Sequence, residues 1–440
     1  MSSDKKRSYE ASFPQQQQQE EDEDKKQLED LSRFPPKFEE LAEAYPSFRQ
    51  FVRYDRKGRP CIEFKDPAAV RMLNWCLLKH HFSLDVTFPH DRLCPPVPGR
   101  LAYIRWIEDI LKETMPPSSE PVHGIDIGVG ASCIYPLLGC ARNPKWHFLG
   151  TEIDEASMNY AKENVEWNQL QDRISLRLNK DPSRIFMLED TRKYAFCMCN
   201  PPFYESKEEV DEGLENKELE PSSICTGSTN EMITPGGELQ FIGQIINESL
   251  EYKDQIMWYT SLIGLKKTIK PITQKLKANN ITNYVVTSFC QGKTTRWAIA
   301  WSFGSVRIND AQSIDEYHPK SQFTLQVAKS ADYVRQQVEF ILSDLRITFQ
   351  DQPIRGAPRA NTWSRAARRQ LKKKQKIQEE DTPLFFFQME IEEGTKDDGC
   401  HLTCKWTKGE NRDAFESFWN HVKKRVEEAC DISRGSSYNG

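Results

Sequence analysis

The chain has 440 residues, enough for two domains or three with an accessory module, and 38% of them are apolar, or about 43% with glycine counted, so a core is expected beside some unpacked chain. No run approaches the roughly 18 apolar residues of a membrane helix, the polar N-terminal stretch has no apolar segment of a secretory signal, and the twelve cysteines, Cys76, Cys133, Cys197 and Cys199 among them, sit in apolar runs like reduced thiols of an intracellular protein. A membrane protein, a secreted disulfide scaffold and a wholly disordered chain are thereby excluded, whereas the formal charge of −5 excludes little, because it conceals −6 over residues 205–220 and +9 over 355–376.

In chain order, residues 1–33 are polar, glutamine-rich and acidic, and read as a disordered tail. PPKFEELAEAYPSFRQFV predicts a short helix after a proline pair, followed by a turn at 56–60 and a strand, CIEF. DPAAVRMLNWCLLKHHF opens on Asp-Pro and spaces Val70, Leu73, Cys76 and Leu77 as a helix does. GRLAYIRWIEDILKE puts Leu101, Ile104, Ile107 and Leu111 on one helical face. Residues 34–115 are therefore expected as a helical N-terminal module. Short apolar runs follow at 122–127, 146–151, 174–178, 195–199, 255–263, 283–289 and 297–303, with helical stretches between the first five. That alternation implies a parallel, doubly wound α/β sheet. The last two runs are joined only by CQGKTTR and must pair antiparallel. Seven strands with an antiparallel last strand is the arrangement of class I, Rossmann-like, S-adenosylmethionine-dependent methyltransferases, here placed at 116–303 with a disordered acidic loop at 204–223. A polar linker at 304–320 leads to a small α+β domain at 321–430 and a short tail at 431–440.

The first strand of the sheet ends in DIGVGAS, residues 126–132. A strand, Gly-x-Gly and a helix let backbone come close to a ligand with helix N–H groups aimed at it. Cys133 stands where the third glycine of a dinucleotide fingerprint would be, which disfavours a pyrophosphate. Glu152, at the end of the second strand and 22 residues past Gly130, fits an acid that grips a ribose diol, with Asp154 as its neighbouring competitor. Asp126 has the position to contact the methionine end of such a cofactor.

The fourth strand ends in Asn200, Pro201, Pro202 and Phe203. An exocyclic amine on a planar ring is a poor nucleophile, since its lone pair is delocalised. The Asn200 side-chain oxygen and the Pro201 carbonyl can accept its two N–H bonds, proline fixes carbonyl directions, and Phe203 offers a stacking face worth about 1–3 kcal/mol. Most of the acceleration would come from positioning. A glycine turn, a strand-end acid and this tetrapeptide, in that order, point to a methyltransferase.

FKDPAAV, RLAYIRWIED, GIDIGVGASCIYPLLG, FCMCNPPF, GGELQFI and SFCQGKTTRWAIAWSF together resemble the methyltransferase-like protein sixteen family, densely over about 34–303 and loosely beyond. The resemblance implies a nuclear enzyme, present also in the cytoplasm in some settings, that uses S-adenosylmethionine to methylate N6 of an adenosine in the ACAGA box of U6 small nuclear RNA and acts on structured mRNA hairpins. It further implies a C-terminal RNA-binding domain like a kinase-associated fold. By motif, Arg100 should reach the cofactor carboxylate; Gly128, Gly130, Ser132 and Glu152 should line the cofactor; and Asn200, Pro201, Pro202 and Phe203 should hold the adenine. Lys65, Lys293 and Arg296 should contact RNA. Two departures stand out. The loop after the tetrapeptide is acidic where relatives are basic, and the cofactor contact within 179–185 cannot be placed, with Lys180 only a candidate.

NTWSRAARRQLKKKQK, residues 361–376, predicts a basic helix capped near Thr362 or Ser364. Trp363 interleaved with Arg365, Arg368, Arg369, Lys372, Lys373 and Lys374 suits the grooves and phosphates of structured RNA, and equally a nuclear-localisation patch. Cys400, His401 and Cys404 lack the paired spacing of zinc sites, so no metal is expected; nor is a membrane partner, and oligomeric state is left open. A ribosomal RNA adenine methyltransferase and a protein glutamine methyltransferase are the alternatives, the latter leaving the basic block unexplained.

Overall fold

The computed structural model describes residues 37–188, 191–206, 209, 229–291, 294–308, 321–373, 379–394, 399–409 and 411–435. The expected tail at 1–33, most of the acidic loop 204–223 and most of the linker 304–320 lie outside them. Two compact units divide the chain: one runs through Trp301 apart from 112–116 and 280–285, and the other takes those segments with the chain from Ser302 onward.

The first unit begins with helices α1 (Phe38–Ala44) and α2 (Pro46–Arg49). One helix was expected; Pro46 divides it, because proline lacks the N–H that continues the ladder. A hairpin of β1 (Arg53–Tyr54) and β2 (Pro60–Cys61) precedes α3 (Pro67–Phe82), whose N-cap Asp66 accepts the Ala68 amide at 2.9 Å. The long helix α4 (Val97–Thr114) follows.

The sheet contains β3 (Val122–Ile127), β4 (Trp146–Glu152), β5 (Ile174–Leu178), β6 (Tyr194–Cys199), β7 (Ile256–Ile263), β8 (Tyr284–Gln291) and β9 (Thr294–Trp301). Their order is β5-β4-β3-β6-β7-β9-β8, with β3 to β7 parallel and β9 antiparallel to β7. The chain winds outward from β3 to β5 and returns to the other flank of β3, so the winding reverses between β3 and β6. Crevices at such reversals, beyond the carboxyl ends of the strands, are where open α/β sheets bind ligands.

Helices α5 (Ile134–Arg142) and α6 (Glu155–Trp167) follow β3 and β4, and α7 (Thr229–Met232) and α8 (Gly237–Tyr252) precede β7. The helix expected between β5 and β6 is absent among the described residues. Glu248 of α8 instead accepts the amides of Ile185 and Phe186 at 2.9 Å each, which holds that connection as a loop. Helix α9 (Lys266–Ala278) leads from β7 to β8. The helical module expected at 34–115 is not a separate body. Leu101, Ile104 and Ile107 of α4 are fully buried, and Tyr103 shares a hydrogen bond of 2.6 Å with Thr260 of β7. Glu108 receives Arg142 of α5 at 2.7 Å, and Asn164 of α6 accepts the Thr87 amide at 2.8 Å. The apolar faces of these helices thus belong to the core of the sheet.

The second unit is an antiparallel sheet of β10 (Gln322–Val327), β11 (Phe349–Gln350), β12 (Ile354–Gly356), β13 (Phe386–Glu393) and β14 (Cys400–Lys408), ordered β10-β14-β13-β12-β11. Helices α10 (Ala331–Asp344), α11 (Arg365–Lys372) and α12 (Arg412–Gly435) accompany it. β11 and β12 are too short to stand out in the sequence, and α12 runs beyond the expected limit of 430. The basic helix is capped by Ser364, whose hydroxyl accepts the Ala367 amide at 3.2 Å.

Trp363 corrects an expectation. It does not lie among the arginines on an RNA-facing surface but is buried against Phe385 and Phe418, with its indole N–H on Ser417 at 3.1 Å. It precedes the first turn of α11 and so escapes the polar face of that helix, and burial of so large an apolar ring outweighs any gain from exposing it.

Candidate active site

The end of β3 and the end of β6 meet at the reversal of winding. After β3 the backbone turns through Gly128 (φ 71°) and Gly130 (φ 65°), left-handed conformations that favour glycine. A side chain on Gly128 would touch nothing within 4 Å, and the nearest atom to one on Gly130 would be Glu231 Oε1 at 4.0 Å. The turn therefore faces open space. Cys133 adopts φ 50° and opens α5 in the same left-handed region, with its thiol buried. Ser132 is buried beside it.

Glu152 organises the turn. Its Oε2 accepts the Gly130 amide at 2.9 Å, and its Oε1 accepts the amides of Ile153 at 2.8 Å and Asp154 at 3.0 Å. A carboxylate has about four acceptor positions, so Oε2 keeps one for a hydroxyl. Burial pushes the Glu152 pKa up against the pull of these three amides. Asp154 is occupied as the N-cap of α6 and by Arg92, which settles the competition in favour of Glu152 at the turn.

Around this turn stand buried polar atoms that have no partner among the described residues: both carboxylate oxygens of Asp126, Nε of Arg100 and the Asn200 side-chain oxygen. Burial first, and then the Glu152 charge, push the Asp126 carboxyl well above the carboxylate range, with Arg100 pulling the other way. Leaving a buried polar group unpaired costs about 1–3 kcal/mol, so three such groups together are the signature of a ligand site. Their chemistry is specific: acceptors at Asp126 and Asn200 fit ammonium and amine donors, and the Arg100 guanidinium, 5.5 Å from the Tyr135 ring centroid, fits a carboxylate. An amino-acid end joined to a ribose with free hydroxyls meets each of them.

On the acceptor side, Tyr103 fastens the end of β6: its hydroxyl bonds Thr260 and receives the Cys199 amide at 3.4 Å, one residue before Asn200. Phe203 lies close to Gly264, where a side chain would come within 2.4 Å of the ring atom Cδ1. Arg296 of β9 carries its guanidinium carbon 5.8 Å from the Phe203 centroid. Burial, then the neighbouring Arg100 charge, pull the Arg296 pKa down, although part of its surface still meets solvent.

The fold brings together Arg100, Asp126, Gly128, Gly130, Ser132, Glu152, Asn200, Pro201, Pro202, Phe203 and Arg296. Lys65 is exposed beside the N-cap of α3. In the second unit, Arg365, Arg369 and Lys373 are exposed and Arg368 is half-buried. Lys293 and Lys374 lie outside the described residues, and of Lys372 only its place in α11 is described. Lys180 is exposed; its neighbour Asn179 is buried and donates its amide to the Glu152 carbonyl at 2.7 Å. Tyr103, Tyr135 and Gly264 were missed as site residues. The aromatic pair was readable only as core, and Gly264 acts through a contact remote in sequence. Among the described residues no cluster of His, Cys, Asp and Glu could hold a metal, and no helix is long and apolar enough to cross a membrane.

A seven-stranded sheet with an antiparallel strand inserted at one end, a glycine turn after its first strand and an Asn-Pro-Pro-Phe end to its fourth define a class I methyltransferase architecture. The chain belongs to the RNA methyltransferase family, whose pattern matches residues 25–305. It is 43% identical over 277 residues to human RNA N(6)-adenosine-methyltransferase METTL16, a match covering 61% of this chain and 49% of the human protein. It is 35% identical over 396 residues to the U6 small nuclear RNA (adenine-(43)-N(6))-methyltransferase of Schizosaccharomyces pombe, covering 87% of this chain and 98% of that one. Among solved structures, the human METTL16 catalytic domain in complex with MAT2A 3′UTR hairpin 6 matches with a TM-score of 0.56 at 44% identity, covering 61% of this chain and 93% of that one. The N-terminal domain of human METTL16 in complex with SAH gives 0.52 at 41% identity over 61% and 95% of the two chains. The chain spans about half the length of the vertebrate relatives it matches.

Proposed function

We propose that this protein transfers a methyl group from S-adenosylmethionine to the N6 amine of an adenosine in RNA, with U6 small nuclear RNA as its substrate. The observation that carries the reading is the unpaired Asn200 oxygen at the end of β6, beside the unpaired Asp126 carboxylate and the glycine turn. S-adenosylmethionine, when bound, supplies an electrophilic methyl group. Arg100 would hold its carboxylate, Asp126 its ammonium, Glu152 a ribose hydroxyl, and the backbone at Gly128 and Gly130 would close on it. Asn200 accepts one adenine N–H and the Pro201 carbonyl the other, which fixes the amine and turns its lone pair out of conjugation. Phe203 stacks the ring. Catalysis is chiefly positioning, and no side chain need take a proton before transfer.

The choice of U6 RNA is supported by the fission yeast relative, named for that substrate and matched over nearly its whole length. Structured mRNA hairpins are a second class of substrate, since human relatives were crystallised with two of them. The U6 reading carries with it a nuclear location for the protein. The exposed arginines of α11, with Lys65 and Arg296, serve as RNA contacts.

The test is methyl transfer from labelled cofactor to U6-like RNA, followed by mapping of N6-methyladenosine in total RNA with and without the protein. Label in the target adenosine supports the reading. Label in protein alone, or in ribosomal RNA alone, refutes it.

A further inference from the structure

Glu238 opens α8, is 1% exposed, and has no part in the chemistry described above. Its Oε2 accepts the Gly264 amide in a short bond, and its Oε1 accepts the Leu265 amide at 3.3 Å. It thereby fixes the turn that leaves β7. That turn is the wall against which Phe203 rests: a side chain on Gly264 would stand 2.4 Å from Phe203 Cδ1, 2.7 Å from Cε1 and 3.1 Å from Glu238 Oε2. Glu238, Gly264 and Phe203 are one packed unit.

Arg296 stands at the same ring. Among the described residues no carboxylate lies within ion-pair distance of it, and its hydrogen bond is a long one of 3.3 Å to its neighbour's carbonyl, Thr295. An exposed planar cation, with no counter-ion among the described residues, is placed over an aromatic ring. The separation of 5.8 Å is informative. Planes in van der Waals contact lie about 3.5 Å apart. One such spacing would bring the guanidinium onto the ring, and two, about 7 Å, would leave space for a base between them. The 5.8 Å from the guanidinium carbon to the ring centroid is longer than a direct stack and shorter than that opening, so Arg296 must move outward to admit a purine.

We propose that Phe203 and Arg296 are the two plates of a clamp for the flipped purine, with Glu238 as the positioning residue that sets the fixed plate. This rests on the RNA-adenosine reading and deepens it: the specificity element is a planar base held on both faces, one by an aromatic ring and one by a guanidinium. Phe203 is fixed because Gly264 backs it and Glu238 holds Gly264. Arg296 is the plate that yields.

The test uses the full chain and a U6-like RNA carrying 2-aminopurine at the target adenosine, with S-adenosylhomocysteine present, for fluorescence; kcat and methyl transfer are measured separately with S-adenosylmethionine and the same RNA carrying adenosine at that position. In the wild type, flipping followed by stacking on both plates quenches the probe. Arg296→Lys keeps the charge and loses the plane; it should restore fluorescence and lower kcat by about tenfold, as expected for one lost stack, with the salt slope of RNA binding unchanged. Glu238→Gln should do the same while cofactor affinity stays within about twofold, a change far below that of a lost stack. Circular dichroism and thermal melting establish that both variants are folded. A wild-type kcat in Arg296→Lys, or an Arg296→Ala variant whose only defect is a salt slope lower by about one unit, overturns the clamp and returns Arg296 to phosphate binding. A folded Glu238→Gln with normal quenching removes Glu238 from it. Quenching in the wild type without any methyl transfer would refute the RNA-adenosine reading while leaving the clamp in place.

Discussion

The Asp126 carboxylate and the Asn200 side-chain oxygen stand at the carboxyl ends of the neighbouring strands β3 and β6, both buried and both without a hydrogen-bond partner among the described residues. Two unpaired acceptors at the reversal of a sheet are costly unless a ligand donates to them. Burial and the Glu152 charge raise the folded pKa of Asp126 above its unfolded value, so the folded chain holds a proton that the unfolded chain has released. Stability without ligand should therefore fall as pH rises above the ordinary carboxylate value of about 3.9. A cationic cofactor favours the ionised form, so its affinity should rise with pH and its binding should release a proton. Calorimetry in two buffers of different ionisation enthalpy measures that proton. Asp126→Asn should abolish the release, weaken binding and remove the fall in stability; unchanged proton release in this variant assigns it to another group.

Glu152 holds three amides and a free lone pair. Glu152→Ala should cost cofactor affinity about 2–3 kcal/mol, the range for a hydrogen bond to a charged group, or roughly a hundredfold in Kd. Glu152→Gln retains one acceptor oxygen but turns an amine toward the turn, and should be only partly better. Titration with S-adenosylhomocysteine measures both. Equal affinity in all three proteins would mean that the ribose is held elsewhere.

Asn200→Ala removes the acceptor for the amine and leaves the strand, the prolines and Phe203. Transfer should fall by about a hundred- to a thousandfold, as when a preorganised polar group at a reacting centre is deleted, with RNA affinity nearly intact. Single-turnover rates with saturating RNA separate the two. Loss of only half the activity would remove Asn200 from the site.

Tyr103 lies between α4 and the reacting end of the sheet. Tyr103→Phe strips the hydroxyl that Thr260 and the Cys199 amide share, while Thr260 keeps its own bond to the Cys197 carbonyl at 2.9 Å. Stability should drop by about 1–2 kcal/mol for one buried hydrogen bond and a partly orphaned amide. Because Cys199 precedes Asn200, kcat should also fall while Kd for the cofactor hardly changes. Denaturant melts and turnover in parallel test this; a stability loss without a kcat loss confines Tyr103 to packing.

Much of this site was readable because its parts are local. Gly128, Gly130 and Cys133 lie within six residues, and Asn200 follows directly on a run of buried strand residues. Glu152 was found through its place at a strand end. What escaped was built by distance. Glu238 acts on Gly264 from 26 residues away, and only space tells that Gly264 must be small. The loop in place of a helix before β6 depends on Glu248, more than 60 residues further along. The division at residue 115 failed because an amphipathic helix shows that it buries a face, not which face of which neighbour receives it. Trp363 was misread for the opposite reason: its charged neighbours were visible, and Phe385 and Phe418 were not.

That misreading separates two roles within a few residues of the second unit. Arg365 and Arg369 are exposed on α11 and Arg368 is half-buried, while Trp363 holds the start of the helix to the core. Neutralising the three arginines to glutamine should leave the melting of the chain nearly unchanged. RNA affinity should fall, and the dependence of log K on log salt should lose about one unit for each lost phosphate contact. Trp363→Ala should instead destabilise the second unit by about 3–5 kcal/mol, as large aromatic deletions from a core do, and leave the salt slope of any folded fraction as it was. Filter binding at several salt concentrations, with melts of each variant, distinguishes them. If the triple variant keeps its slope, the arginines do not meet RNA phosphates and the helix is left with another task, such as nuclear import.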